Sequence, residues 1–372
     1  MPVHSKDIDE KLLWISLGNI SGIGSQTYCQ LLKAFGSPGN IYAANTKQLR
    51  EIVSANIASE IIRGFDLDAL DQTRQWLMQE NNHLVTLADP EYPRSLLEIA
   101  DPPPFLYAKG KLDLLNKPGI AIVGSRNASV QGEKNAEAFA FDLSAYGLCI
   151  VSGLALGIDG AAHRGALRAQ GATIAVVGTG MDIVYPAKHR ELAHQIAEHG
   201  LIISEFNLGT PSKPQNFPKR NRIISGLSLG CLVVEANLQS GSQITARLAT
   251  EQGREVFAIP GSIHSPMSKG CHQLIKQGAK LVDCLQDIVE ELNLSRSTLS
   301  DLTINDTGKA EDLNSDGSAT IIMNAMGYDP ITLDNLVASS GLTISEVSSM
   351  LMLLELDGKI AVLTGGQYQK IM

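Results

Sequence analysis

Between Phe206 and Val234 the sequence contains no aspartate or glutamate. The gap falls in a chain of 372 residues with 39 acidic and 30 basic side chains, at net charge −9. Other features are missing too. No apolar run approaches the roughly 20 residues that cross a bilayer. The N-terminal MPVHSKDIDEKLLW is already charged at Lys6, unlike a secretory leader. Both absences lead us to expect a cytoplasmic protein with no membrane partner. The five cysteines (Cys29, Cys149, Cys231, Cys271, Cys284) are odd in number and form no CxxC, so neither a disulfide framework nor a zinc site is expected. His189, His194 and His199 stand five apart, about 140° from one another on a helix, and so share no ligating face. No G-x-x-x-x-G-K-[ST] occurs, which removes ATP hydrolysis through a P-loop. A dinucleotide site needs G-x-G-x-x-G, whereas Gly124-Ser125-Arg126-Asn127-Ala128-Ser129 supplies one glycine and the next strand ends at Ser152. No metal or cofactor is expected.

The acid-free stretch holds the opposite charge. Lys219, Arg220 and Arg222 fall within FPKRNRIIS (217–225), with Lys213 just upstream. Like charges packed closely repel, so the cluster needs a counter-ion. A solvated helix face is the bland reading, but Phe217, Ile223 and Ile224 interleave with the cations and make this a packing segment as well. An aromatic beside guanidinium groups suits phosphates and unstacked bases. At −9 the chain is too acidic to coat duplex DNA non-specifically, yet it can carry a confined basic groove.

With 44% hydrophobic and 19% charged residues the chain is globular in composition, and its length calls for more than one domain. Residues 1–100 read as a helical N-terminal domain. There LGNISGIGS (17–25) leads into a helix and resembles a SAM/helix-hairpin-helix turn; it either approaches a phosphate or is a tight interhelical turn and nothing more. Asp101-Pro102-Pro103-Pro104 is a stiff connector. From there to 293, short β-branched runs alternate with glycine turns and helices. Ile120–Val123 ends at Gly124-Ser125-Arg126, Leu148–Val151 at Ser152-Gly153, and Thr173–Val177 at Gly178-Thr179-Gly180. That pattern predicts an α/β, doubly wound (Rossmann-like) parallel sheet covered on both faces. Its ligands belong outside the carboxyl ends of the strands, where these glycines gather. The polar, acidic tract 294–317 reads as a flexible linker. Residues 318–372 read as three helices and a hairpin closed by Gly365-Gly366, a winged helix whose third helix (343–356) is capped by TISE. That helix has no Lys or Arg, so a protein-contact role fits it better than duplex reading.

Catalytic constellations are thin. Ser152, Asp159 and His163 could be drawn as a triad, but Asp159 and His163 stand four apart at a helix start, where Asp is more often a cap. Asp182, Glu205 and Glu235 end or follow strands. Glu235 is expected to pair internally with Arg220 or Arg222 and hold the loop.

The segments GSR (124–126), SGLALGID (152–159), FPKRNRIISGLS (217–228), VVEA (233–236), SGSQITA (240–246), EQGREVFAIPG (251–261) and LIKQGA (274–279) resemble, in order and composition, the bacterial DNA-processing protein A family (DprA, also called Smf). The resemblance spans about residues 10–290. It implies a non-enzymatic, cytoplasmic single-stranded DNA-binding protein that homodimerises through the sheet domain. Such a protein protects incoming strands in natural transformation and loads RecA recombinase. It further implies a pocket formed by Gly124, Ser125, Arg126, Phe217, Lys219, Arg220, Asn221 and Arg222, with Ser152 and Gly153 at its floor; Lys213 joins them as the nearby cation. His272 departs from the Asn that members often carry before LIKQGA. The rival is a nucleotide-binding enzyme resembling lysine-decarboxylase-like phosphoribohydrolases. Their P-G-G-x-G-T-x-x-E loop is absent from the tract 235–242, EANLQSGS.

Overall fold

A computed structural model describes residues 5–65 and 70–294, and from 322 onward residues 322, 325–326, 331–344, 347–348, 350–351, 354, 360–363 and 367–370. The chain divides into two compact units, Met1–Asn305 and Asp306–Met372.

The first unit is built on one nine-stranded sheet. Its strands are β1 (Asn82–Thr86), β2 (Phe105–Gly110), β3 (Gly119–Val123), β4 (Cys149–Ser152), β5 (Thr173–Val176), β6 (Leu201–Ser204), β7 (Gly230–Val233), β8 (Glu255–Ala258) and β9 (Lys280–Leu281). They lie in the order β1-β2-β6-β5-β4-β3-β7-β8-β9. Neighbours from β6 through to β9 are parallel, and β1 and β2 add an antiparallel edge. Every residue of β3 is buried, Ala121 and Val123 on one face and Ile120 and Ile122 on the other. This explains why the parallel strands read as short continuous apolar runs rather than alternating ones.

Helices α1 (Ser5–Gly18), α2 (Ser25–Phe35), α3 (Pro38–Ala43), α4 (Thr46–Leu49), α5 (Ala55–Arg63), α6 (Asp71–Leu77) and α7 (Arg94–Leu97) precede the parallel strands. The N-terminal stretch is helical as expected, with one correction: residues 82–86 form β1 and extend the sheet. In His83-Leu84-Val85-Thr86, Leu84 packs into the helical core with Tyr107 while Val85 faces the sheet core. The turn between α1 and α2 touches the loop after β6, because Asn207 Nδ2 donates to Asn19 Oδ1.

Around the parallel strands run α8 (Val130–Tyr146), α9 (Ile158–Arg168), α10 (Arg190–His199), α11 (Asn216–Gly226), α12 (Gly241–Glu251), α13 (Lys269–Lys276) and α14 (Leu285–Glu291). The chain winds from β3 outward to β6, returns through α11, and winds the other way from β7. β3 and β7 are therefore neighbours at the point where the order reverses, and a crevice lies beyond their carboxyl ends. The expected doubly wound topology is present.

In the second unit β10 (Ile331–Thr332), β11 (Ile360–Leu363) and β12 (Gln367–Lys370) pair in the order β10-β12-β11. Helix α15 (Leu333–Ser340) is capped by the Thr332 hydroxyl and ends at Gly341, with φ +69°. Ile322, Met326, Leu336, Val347, Leu351, Leu354 and Ile360 form its core. These are parts of a winged helix. The expected Gly365-Gly366 hairpin tip, Glu346 of the expected capping box, and all of the expected linker except Leu294 lie outside the described residues.

Candidate nucleic-acid interface

The crevice holds a cavity of about 640 Å³. Gly124, Ser125 and Arg126 line it from the turn after β3, and Phe217, Arg220 and Asn221 line it from α11. Tyr185, whose ring neighbours Phe217, and the start of α12 also line it, including Ser240, Gly241, Ser242 and Thr245. Helix α11 is pinned at its first turn, where buried Asn216 donates through Nδ2 to the Gly178 carbonyl at 3.0 Å. The β3 turn is held by the Ile158 amide, which donates to Ser125 O at 3.2 Å. A side chain at Gly124 would overlap Ile158, so only glycine lets the turn approach α9 this closely.

Two guanidinium groups lie near one aromatic ring. The exposed Arg126 places Cζ 4.8 Å from the Phe217 centroid, and the buried Arg220 places its own at 6.0 Å. Among the described residues no carboxylate pairs with Arg126. Arg220 lies deeper: Nη1 donates to the Val176 carbonyl, Nε has no partner among the described residues, and a side chain at Gly153 would strike the guanidinium. Burial pulls the Arg220 pKa down to about 10, against which the nearby Asp159 works. Burial also raises the Asp159 carboxyl above its usual range, opposed chiefly by Arg220. A buried cation balanced by a single carboxylate, with an exposed cation at the mouth, leaves the cavity receptive to an anion.

The remaining expected residues sit elsewhere. Ser152 is fully buried and its hydroxyl donates to Ile122 O at 2.6 Å. Gly153 donates its amide to Asp159 Oδ2 at 3.1 Å and supports Arg220 from below. Lys213 is exposed beside the cavity without lining it. Lys219 points away, 3.7 Å from Glu205 and 5.7 Å from the Phe206 centroid. Arg222 faces the protein interior: Nη2 donates to Glu205 Oε2 at 2.7 Å and Nε to Asp101 Oδ2 at 3.0 Å. Six of the eleven expected residues thus converge on the cavity, and five do not.

Glu235 needs a correction. It pairs with neither Arg220 nor Arg222; its carboxylate accepts from the Ser129 amide at 2.9 Å and the Ser129 hydroxyl at 2.6 Å. The adjacency of β3 and β7 sends the second residue after β7 toward the start of α8 rather than toward α11. No triad forms either. Asp159 accepts amides from Gly153 and Ala155, while His163 Nδ1 lies 2.8 Å from Thr173 Oγ1. His272 holds the Pro260-Gly261 turn, its Nε2 being 3.0 Å from Gly261 O. Among the described residues the grouping with metal-ligand spacing is Asp283, Cys284 and Asp287, and Asp287 there accepts the amides of the other two as a helix cap. Sequence reasoning missed Tyr185 and the Ser240–Thr245 wall. The signal for the wall was its place directly after the carboxyl end of β7; Tyr185 sits in a loop with no periodicity to read.

The sequence profile described as DNA recombination-mediator protein A matches residues 83–293, more than half of the chain. The chain belongs to the DprA/Smf family. A profile described as the DprA winged helix domain matches residues 309–366. Protein Smf of Escherichia coli is 42% identical over 303 residues, covering 81% of each chain. DNA processing protein DprA of Streptococcus pneumoniae is 50% identical over 206 residues, 55% of this chain and 73% of that protein. The X-ray structure of the pneumococcal DprA superposes with a TM-score of 0.66, at 38% identity, over 78% of this chain and 99% of that one. A Helicobacter pylori DprA structure, described as giving insight into a single-stranded DNA binding mode, has a TM-score of 0.52 at 31% identity, over 57% of this chain and 96% of that one. Among the described residues no helix of this family member is long and apolar enough to cross a membrane.

Proposed function

We propose that this chain binds single-stranded DNA in the β3–β7 crevice and does no covalent chemistry there. One observation carries the reading: an exposed arginine with no carboxylate partner among the described residues rests on an aromatic ring, at a cavity whose floor is a second, buried arginine. Arginine forks grip phosphate oxygens in pairs, and a ring beside them offers a face to an unstacked base. Gly124, Ser125, Arg126, Phe217, Arg220 and Asn221 are the contact residues in this account. Ser152, Gly153 and Arg222 support them from behind, and Lys213 and Lys219 supply long-range attraction. Membership of a family that includes a single-stranded DNA-binding Helicobacter protein points the same way.

The finer steps follow from the family resemblance. The protein protects incoming strands in the cytoplasm, acts as a homodimer through the sheet domain, and hands strands to RecA. We assign residues 1–100, 101–293 and 318–372 as its three domains, with the winged helix contacting protein rather than duplex.

The test is Arg126→Ala. Loss of a charged hydrogen bond of about 1.5–3 kcal/mol weakens oligothymidylate binding roughly 10- to 150-fold while the melting temperature stays put. Arg126→Lys keeps the charge, loses the fork, and falls between. Wild-type affinity in Arg126→Ala removes the crevice from the account, and release of free base from AMP by the wild-type protein makes it an enzyme instead.

A further inference from the structure

Tyr185 is an exposed aromatic on a fixed loop. The loop after β5 is tied down ahead of the ring, where Thr179 Oγ1 donates to Ile183 O at 2.8 Å and the Gly180 amide to Thr210 O at 2.9 Å. Asp182 adds its carboxylate to the Gly209 amide at 2.8 Å. Behind the ring, the His189 amide donates to Pro186 O at 2.9 Å, and His189 Nδ1 lies 3.0 Å from Leu154 O. Such a loop could have folded its ring inward, as Tyr28, Tyr92 and Tyr107 are folded, yet Tyr185 remains 44% exposed at the cavity rim.

Its neighbour is Phe217, with centroids 5.8 Å apart and the planes tilted by 44°. That tilt lies between the offset-stacked and edge-on arrangements that aromatic pairs favour, so neither ring is placed chiefly for the other. The spacing also excludes a clamp. A base held between two rings needs about 7 Å, twice the ~3.5 Å of carbon contact. The outer face of Tyr185 is therefore a separate platform.

We propose that Tyr185 stacks one base of a bound single strand, beside the phosphate-holding Arg126 and next to the base that Phe217 takes. The inference rests on the strand-binding reading above and adds its second base contact. Stacking on one aromatic is worth about 1–3 kcal/mol, which corresponds to roughly 5- to 150-fold in affinity.

The experiment compares the full-length wild-type protein with Tyr185→Ala, Tyr185→Phe, Tyr185→Trp and Arg126→Ala. Each is titrated with oligothymidylate and with an abasic strand of equal length. Tyr185→Ala weakens oligothymidylate binding at least fivefold and leaves abasic binding unchanged, while Tyr185→Phe and Tyr185→Trp stay within about twofold of wild type. Trp14 and Trp76 are buried in the N-terminal helical core, so the indole in Tyr185→Trp reports stacking through quenching on strand addition, even where the alanine variant folds poorly. Unchanged oligothymidylate affinity in Tyr185→Ala, an equal loss on the abasic strand, or an unquenched indole overturns the proposal. If Arg126→Ala loses the strand and Tyr185→Ala does not, this inference alone falls; if the wild type holds no strand, it falls together with the proposed function.

Discussion

Arg220 and Arg222 are two positions apart on α11, about 200° around the helix, and so face opposite ways. Arg220 reaches the crevice, whereas Arg222 is buried against Glu205, the two side chains being 8% and 6% exposed. In the sequence they are one basic cluster; only the placement of α11 separates the cavity-lining arginine from the strut. Removing one partner of a buried pair leaves an uncompensated charge, at a cost of about 3–5 kcal/mol. Burial already raises the Glu205 carboxyl, with Arg222 and Lys219 opposing the rise. Arg222→Ala is thus expected to lower the melting temperature by about 5–8 °C, and Arg222→Met with Glu205→Leu to recover most of it. Calorimetry decides this; an unchanged melting point with lost DNA affinity would return Arg222 to the binding surface. His163 gives a pH signature. It is fully buried, and burial first, then nearby His189, Arg220 and Arg164, push its pKa down to about 3 from 6.5. The unfolded chain takes up this proton below about 6.5 and the folded chain does not until about 3. The stability it contributes is therefore complete above 6.5 and erodes as pH falls, by up to about 1.4 kcal/mol per pH unit. Urea midpoints between pH 7 and 4.5 should fall less steeply in His163→Asn; parallel slopes would mean His163 is not buried neutral.

At the scale of elements, the glycine turns after β3, β4 and β5 were legible because a parallel strand buried on both faces leaves a short apolar run and a helix must follow. Those same turns put Gly124, Ser125 and Arg126 at a carboxyl edge on sequence pattern alone. β1 was not legible: five residues among helices carry little periodicity, and their pairing with β2 is a tertiary fact. The partner of Glu235 was equally hidden, since it depends on β3 lying beside β7, more than a hundred residues away in sequence. In the fold Glu235 acts as an outside cap for α8, satisfying the Ser129 amide as well as its hydroxyl. Glu235→Ala should cost about 1–2 kcal/mol of stability, the range for a lost cap, and leave strand affinity within twofold. Denaturation and titration on the same preparation check both halves, and a tenfold loss of affinity at full stability would make Glu235 part of the site.

For the whole molecule, net −9 and a confined cationic cavity belong together. The overall charge discourages duplex coating, and the few cations of the proposed site suit a strand that can bend into the crevice. With no Lys or Arg between Thr343 and Leu356, that tract of the second unit has no cation to offer phosphate. Removing residues 296–372 should leave single-strand affinity within about tenfold, or 1.4 kcal/mol; a larger loss would assign the winged helix to DNA. Strand preference is tested most directly by a paired titration of one sequence, single-stranded and as duplex, across a salt series. Two or three phosphate contacts predict a shallow single-strand slope of log K against log salt, about −1.4 to −2.1. At physiological salt the single strand should bind at least tenfold tighter than the duplex, and equal affinities would contradict the account.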